Sequence, residues 1–229
     1  MILEVCANSY QSAKNAQDAG AHRIELCQEL SVGGITPSYG LIDLVKSKLS
    51  IPVFVLVRPR SGDFVYSDDE FNVIKKDIQI CKDLGCDGIV SGVLNSDGII
   101  DIERTNELIL CSKPLPFTFH RAFDEVVNPA EALEQLIDLG VERVLTSGQK
   151  KSAEEGLAIL KHLNKVANGR ITILAGGGIS LGNASKFKGI GLKEIHASAS
   201  IKINQQDSMF SIQQTVSDIT KIKAILDAI

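Results

Sequence analysis

Two segments near the N-terminus repeat the pattern Glu-x-Cys inside otherwise aliphatic stretches. The first is ILEVCAN, with Glu4 and Cys6, and the second is RIELCQ, with Glu25 and Cys27. Residues two apart in a β-strand point to the same side, so each glutamate shares a face with its cysteine. A glutamate buried under a layer of helices would lack a partner, which is unfavourable. We therefore expect both Glu-Cys faces to point away from any covering helices.

The two cysteines are candidate metal ligands. On neighbouring strands they would be separated by about 4.8 Å, and soft thiolates are the ligands that Cu(I) prefers. Cysteine is also a small apolar core residue, and that interpretation stays open. The other three cysteines lie in helical patterns or just before a strand and are interpreted as structural: Cys81, Cys86 and Cys111.

The glutamates and one histidine are candidates for proton transfer. In a pair of neighbouring carboxylates, such as Glu4 and Glu25, one group can have a raised pKa and act as a general acid or base. His120 in FTFHRAFD titrates near neutral pH in its unperturbed state. The structural alternatives are that the glutamates neutralise Arg58 and Arg60, and that His120 is a core histidine.

Arg58 and Arg60, in VRPRSGDF, are candidates for binding an anion. Forked guanidinium groups suit a carboxylate or a phosphate. Alternatively, they could anchor their own loop on nearby aspartates: Asp63, Asp68 or Asp69. In (β/α)₈ barrels, glycine-rich ends of strands often bind phosphate through backbone N–H groups. Alternatively, the glycines only permit the turns at these positions. The remaining predicted anion-binding residues lie at the ends of later strands: Thr146, Gly176, Gly177, Gly178, His196 and Ser198.

The segments that carry these residues alternate with helical patterns along the chain. Eight short apolar runs each precede a helix-sized segment, the last being SMFSIQQTVSDITKIKAILDAI. This alternation predicts a parallel sheet, and eight units in 229 residues match a (β/α)₈ barrel. An open doubly wound sheet usually has a glycine-rich turn after its first strand, which CANSYQS lacks. We predict one domain over residues 1–229, a TIM-like barrel with a C-terminal helix.

A barrel would place the candidate residues in one interior. The alternation of strand faces predicts an inward set on several strands: Glu4, Cys6, Glu25, Cys27, Arg58, Arg60, Thr118, His120, Thr146, His196 and Ser198. Most lie toward the C-terminal ends of their strands, where active sites of this fold occur.

Composition excludes several classes of partner. The chain is 44% hydrophobic and 23% charged with a formal net charge of −4, as is typical of a globular protein. The sequence contains no basic block, so we do not expect a nucleic-acid partner. No apolar run approaches the roughly 18 residues of a membrane span, and no basic segment precedes ILEVC. We expect a cytoplasmic protein, without nucleic-acid or membrane partners, whose cysteines are reduced.

The motifs also resemble those of a known family. EVC, RIELC, GGITPS, VRPRSGDFVYSDDEF, TFHRAFD, VLTSG, AGGGI and HASA occur in the order and spacing of the CutC copper homeostasis family, over roughly residues 2–200. The resemblance implies a TIM-like barrel, a cytosolic location, a link to copper tolerance and copper binding through cysteines. We further expect a homo-oligomer, either a dimer or a tetramer.

Two functions therefore stay open. In the first, the protein serves copper homeostasis and binds Cu(I) through Cys6 and Cys27. In the second, it is an enzyme of the lyase, isomerase or hydrolase type that acts on a small anionic or phosphorylated substrate. Arg58, Arg60 and the glycines would then hold the anion, while His120 and a glutamate move protons. The resemblance favours the first function, and the polar interior favours the second.

Overall fold

Eight parallel strands form a closed barrel, in the order in which they occur along the chain. The computed structural model describes residues 1–203, 209 and 213–229. The predicted TIM-like barrel is confirmed. Its strands are β1 (Ile2–Ala7), β2 (Arg23–Leu26), β3 (Val53–Leu56), β4 (Gly88–Ser91), β5 (Phe117–Phe119), β6 (Arg143–Thr146), β7 (Thr172–Gly176) and β8 (Glu194–Ala197).

Helices cover the outside of the barrel, and local sequence sets many of their ends. Ser67 and Glu70 form a capping box at the start of the longest helix, and Gly20 ends the first helix with φ at 85°. In the described residues, no helix is both long and apolar enough to cross a membrane. The helices are α1 (Tyr10–Ala19), α2 (Tyr39–Lys48), α3 (Asp68–Asp83), α4 (Ile102–Ser112), α5 (Pro129–Asp138), α6 (Leu157–Ala167), α7 (Ala184–Gly189) and α8 (Ile219–Asp227).

The last βα unit differs from the predicted one. Two short strands, β9 (Ser200–Lys202) and β10 (Thr215–Ser217), pair antiparallel before α8 begins. The predicted helix over residues 208–229 therefore starts later, because the β-branched Thr215–Ser217 segment pairs as a strand. The side chain of Asp218 then caps α8 by accepting from the Lys221 N–H. Residues 208 and 210–212 of that prediction lie outside the described residues.

The two faces of the strands separate two layers of core. Aliphatic residues such as Val5 and Ile24 belong to the large core cluster that includes residues of the helices. The opposite faces form a second cluster inside the barrel, made of Cys6, Cys27, Phe54, Leu56 and Val90. This division agrees with the predicted alternation on β1, β2 and β3.

The side chains of β6 point to the opposite sides from those predicted. Leu145 lines the interior cavity, and its neighbour Thr146 must point to the opposite side. The Thr146 hydroxyl donates to Asp124 Oδ1 at 2.5 Å and accepts from the Gly148 N–H at 2.9 Å. Thr146 therefore does not line the cavity, contrary to the prediction that it binds an anion, and instead supports the loop after β6.

Candidate functional site in the barrel interior

A cavity of about 710 Å³ occupies the C-terminal end of the barrel. This volume lies within the range of pockets that bind small molecules. The 3₁₀ turn Leu30–Val32 after β2 contributes to the wall, as does Thr215 of β10. The predicted site residues that line the cavity are Cys6, Glu25, Arg58, His120, Gly177, Gly178, His196 and Ser198.

Two thiols face each other on β1 and at the end of β2. The Sγ atoms of Cys6 and Cys27 lie 3.6 Å apart, and Cys6 Sγ lies 3.9 Å from Glu25 Oε1. The hydrogen bond with Cys27, together with burial, raises the pKa of the Cys6 thiol well above its usual range. The Cys6 sulfur, a Glu25 oxygen and a His196 ring nitrogen all lie within 4.8 Å of one another. These groups are close enough to ligate one metal ion.

The two glutamates have different surroundings. Glu4 Oε1 lies 2.7 Å from His196 Nδ1, and Glu4 Oε2 accepts from Arg23 Nε at 2.5 Å. Burial raises the pKa of Glu4, but the His196 hydrogen bond and the Arg23 charge outweigh it and lower the pKa to about 2. Burial dominates at Glu25 and raises its pKa to about 7. Environments that separate two carboxylate pKa values in this way are typical of acid and base pairs.

The predicted arginine pair is divided by the end of β3. Arg58 is 6% exposed and lines the cavity, where its guanidinium donates to the carbonyls of Val32, Gly34 and Gly62. Arg60 pairs with Glu70 at 2.5 Å and with Asp63 at 3.0 Å, outside the cavity. The strand ends at Leu56, so the alternation of faces does not extend to Arg60. The predicted anion-binding role of Arg60 is therefore not supported.

His120 begins the 3₁₀ turn Arg121–Glu125 and packs against an aromatic ring. Its Nδ1 accepts from the Ala122 N–H at 3.2 Å, and its ring centroid lies 4.8 Å from that of Phe64. Burial and the charge of Arg58 lower the pKa of His120 to about 3. The ring is then neutral at physiological pH with its proton on Nε2. This arrangement favours hydrogen-bond donation over the predicted proton transfer.

A third arginine lies at the mouth of the cavity. Arg121 donates to Asp124 Oδ2 at 2.7 Å and to Ser147 Oγ at 3.0 Å. Gly177 has φ at 107°, and a Cβ atom built on it would lie 3.3 Å from the Ser147 Cβ, so this position at the end of β7 favours glycine. A Cβ on Gly176 would lie 2.6 Å from Leu145 Cδ1, so that glycine serves close packing.

Comparison with known proteins places the chain in a family. The model of the CutC family matches residues 1–201. The chain belongs to the CutC family. The copper homeostasis protein cutC homolog of Homo sapiens is 46% identical, over 98% of this chain and 87% of the human protein. The CutC crystal structure from Streptococcus agalactiae is 35% identical with a TM-score of 0.82, and the match covers 86% of this chain and 98% of that one.

In this CutC-family protein, sequence reasoning missed a buried ion-pair network beneath the cavity. Arg23 bridges Glu4 and Glu194, and Arg143 Nε donates to Glu194 at 3.2 Å. The predicted counter-ions of Glu4 were Arg58 and Arg60, whereas its observed partners are Arg23 and His196. The same two-residue alternation that gave Glu25 and His196 also applies to Arg23 and Glu194, so a signal was present.

The buried neutral His120 predicts an acid-sensitive contribution to stability. Unfolded, the ring has a pKa near 6.5, and folded its pKa is about 3. Between these values the unfolded chain binds one more proton, so this contribution is lost as pH falls, by at most about 1.4 kcal/mol per pH unit. We expect His120→Asn, which keeps an acceptor for Ala122, to lack this dependence. Urea unfolding of both proteins between pH 7 and pH 4 tests this, and parallel profiles would contradict it.

Proposed function

We propose that this CutC-family protein binds Cu(I) through Cys6 and Cys27 in copper homeostasis. The observation that carries the proposal is the 3.6 Å separation of the two sulfur atoms. With metal–sulfur bonds of about 2.3 Å, as at zinc sites, both sulfurs can reach one ion. Thiolates select Cu(I) over harder cations. The names of the human and mouse relatives, copper homeostasis protein cutC homolog, support the same function.

His196 would complete the ligand set. Its Nδ1 is 2.7 Å from Glu4 Oε1, which leaves Nε2 as the ring nitrogen for a metal. Histidines that bind metals usually donate their other N–H to a carboxylate or a carbonyl, which fixes the ring and its tautomer. Glu4, buried and held by Arg23, is placed for that positioning role.

Anaerobic competition titration with Cu(I) tests this function. We expect the wild type to bind one Cu(I) ion, and the variant with both Cys6→Ser and Cys27→Ser to lose this site. A matched control replaces the other pair of buried cysteines, Cys81 and Cys86, with alanine; these thiols belong to the core beneath the helices. The control should bind as the wild type does. Equal stoichiometry and affinity in the wild type and the Cys6 and Cys27 variant would overturn the proposal.

A second candidate function is an enzyme that acts on a small organic anion. The observation that favours it is the size of the cavity, since about 710 Å³ is far more space than one metal ion needs. Pockets of this volume commonly enclose small organic molecules.

The cytoplasmic location and the dimeric or tetrameric assembly remain predictions from the sequence.

A further inference from the structure

Among the described residues, two buried N–H groups of side chains that line the cavity have no hydrogen-bond acceptor. Arg58 and His120 are 6% and 4% exposed, and both line the cavity. Among the described residues, neither Arg58 Nε nor His120 Nε2 has a hydrogen-bond partner. Both side chains pack against Phe64, with the Arg58 Cζ 4.9 Å from its ring centroid. Buried polar groups are nearly always paired, so two unpaired donors beside one ring call for a missing acceptor.

Arg58 also has no carboxylate partner among the residues that the structure describes. Its Nη1 and Nη2 atoms donate only to backbone carbonyls, and in the described part of the chain no carboxylate lies within salt-bridge distance of it. The other arginines near the barrel interior differ, because Arg23 and Arg143 pair with glutamates and Arg121 pairs with Asp124. A guanidinium buried without a directly paired carboxylate is unfavourable. Asp63, whose carboxylate feels the Arg58 charge, is paired with Arg60 instead.

We propose that the cavity binds a small organic molecule through a carboxylate group that accepts hydrogen bonds from Arg58 and His120. This proposal deepens the second candidate function and does not depend on copper binding. A carboxylate brings one negative charge and matches the single free charge of Arg58. A phosphate monoester carries about −1.5 to −2 at pH 7, and Arg121 is already neutralised by Asp124. The geometry therefore favours a carboxylate over a phosphate.

The rest of the cavity suggests an apolar body for the ligand. Apolar side chains from several elements line it: Leu30, Leu56, Phe64, Leu145 and Ile179. The predicted phosphate cradle after β7 is weaker than expected, because α7 has only six residues and begins at Ala184, well after Gly178. The free donors thus lie on the Arg58 and His120 wall.

Three probes with the same ring and different head groups test the chemistry of the site. We expect benzoate to bind wild-type protein at millimolar concentration in calorimetry or by NMR shifts. Benzamide, its neutral analogue, should bind at least about ten-fold more weakly, because a charge-assisted contact is lost. Phenyl phosphate should also bind more weakly than benzoate. No binding of benzoate at tens of millimolar, equal binding of benzamide, or tighter binding of phenyl phosphate would each overturn the proposal.

A matched pair of arginine variants tests the residue assignment. Arg58→Met should weaken benzoate binding by roughly ten- to a hundred-fold. Arg60→Met changes the same residue type two positions along, where the side chain pairs with Asp63 and Glu70 outside the cavity. It should bind benzoate as the wild type does. Equal binding by the two variants would show that Arg58 only braces its neighbouring loops.

Variants of His120 test the residue assignment independently, even if Arg58→Met fails to fold. In His120→Asn, Oδ1 can take the place of Nδ1 as the acceptor for Ala122 but no donor replaces Nε2–H, so benzoate should bind about ten-fold more weakly. In His120→Gln, the amide nitrogen can occupy the Nε2 position, so binding should be closer to that of the wild type. Wild-type affinity in His120→Asn would contradict the role of His120.

The thiol variant separates this proposal from copper binding. The protein with Cys6→Ser and Cys27→Ser should retain benzoate binding close to that of the wild type, because serine resembles cysteine in size and, in the described part of the chain, neither sulfur hydrogen-bonds to Arg58 or His120. Loss of benzoate binding there would place the ligand on the thiol side and overturn the assignment. Retained benzoate binding with lost Cu(I) binding would support both proposals independently.

Discussion

Replacement of Arg23 by methionine should lower the free energy of unfolding by about 3–5 kcal/mol, the typical cost of breaking a buried ion pair from one side. Arg23 is 6% exposed and bridges two carboxylates, Glu4 and Glu194. Removing its charge leaves both carboxylates buried with less compensation, although His196 and Arg143 still contact one each. Urea unfolding at neutral pH measures the change.

An exposed ion pair supplies the control for Arg23. Arg170 makes two hydrogen bonds to Glu134 at 2.7 and 2.6 Å on the outer surface. Arg170→Met should cause little or no loss of stability, because water screens exposed ion pairs and they contribute little to the free energy of unfolding. Adding Glu4→Gln to Arg23→Met should be less damaging than the sum of the single changes, since it removes the unpaired charge. Equal losses for Arg23→Met and Arg170→Met would show that the network contributes no more than a surface pair.

Replacement of Gly156 by alanine should destabilise the protein by about 3 kcal/mol or more, at the upper end of single substitutions. A Cβ atom at this position would lie 1.9 Å from the backbone oxygen of Ser147 and 3.1 Å from the Gly148 Cα. Both atoms belong to the backbone of the loop after β6, which cannot rotate away as a side chain can. That loop also donates two N–H groups, from Ser147 and Gln149, to Asp124 beside the cavity.

A second glycine provides the comparison for Gly156. Gly40 lies within α2, and a Cβ atom there would meet nothing within 4 Å. Gly40→Ala should therefore stabilise the protein by up to about 1 kcal/mol through helix propensity. Thermal and urea unfolding of the two variants side by side would measure the contrast. If Gly156→Ala unfolds at the same urea concentration as Gly40→Ala, the tight backbone contact has no energetic importance.

Local sequence patterns determined the barrel and the thiol pair. Eight βα units could be counted along the chain because hydrophobic periodicity and helix caps act over a few residues. The alternation of faces predicted that Cys6 shares a face of its strand with Glu4, and that Cys27 shares a face with Glu25. Consecutive strands of a βα barrel are neighbours in the sheet, which brings the two sulfurs together, and the structure has them 3.6 Å apart.

Only the tertiary structure decided which charges meet. Closure of the barrel brings β8 beside β1, with Glu4 opposite His196, and so joins residues about 190 positions apart. The end of β3 at Leu56 decided that Arg58 turns toward the cavity while Arg60 turns toward α3. These outcomes depend on where strands stop and which strands close the ring, and both follow from packing across the whole chain. Local alternation predicts which side chains point inward, including Arg23, but not which of them pair across the ring, which is why the observed partners of Glu4 and the unpaired charge of Arg58 were not predicted.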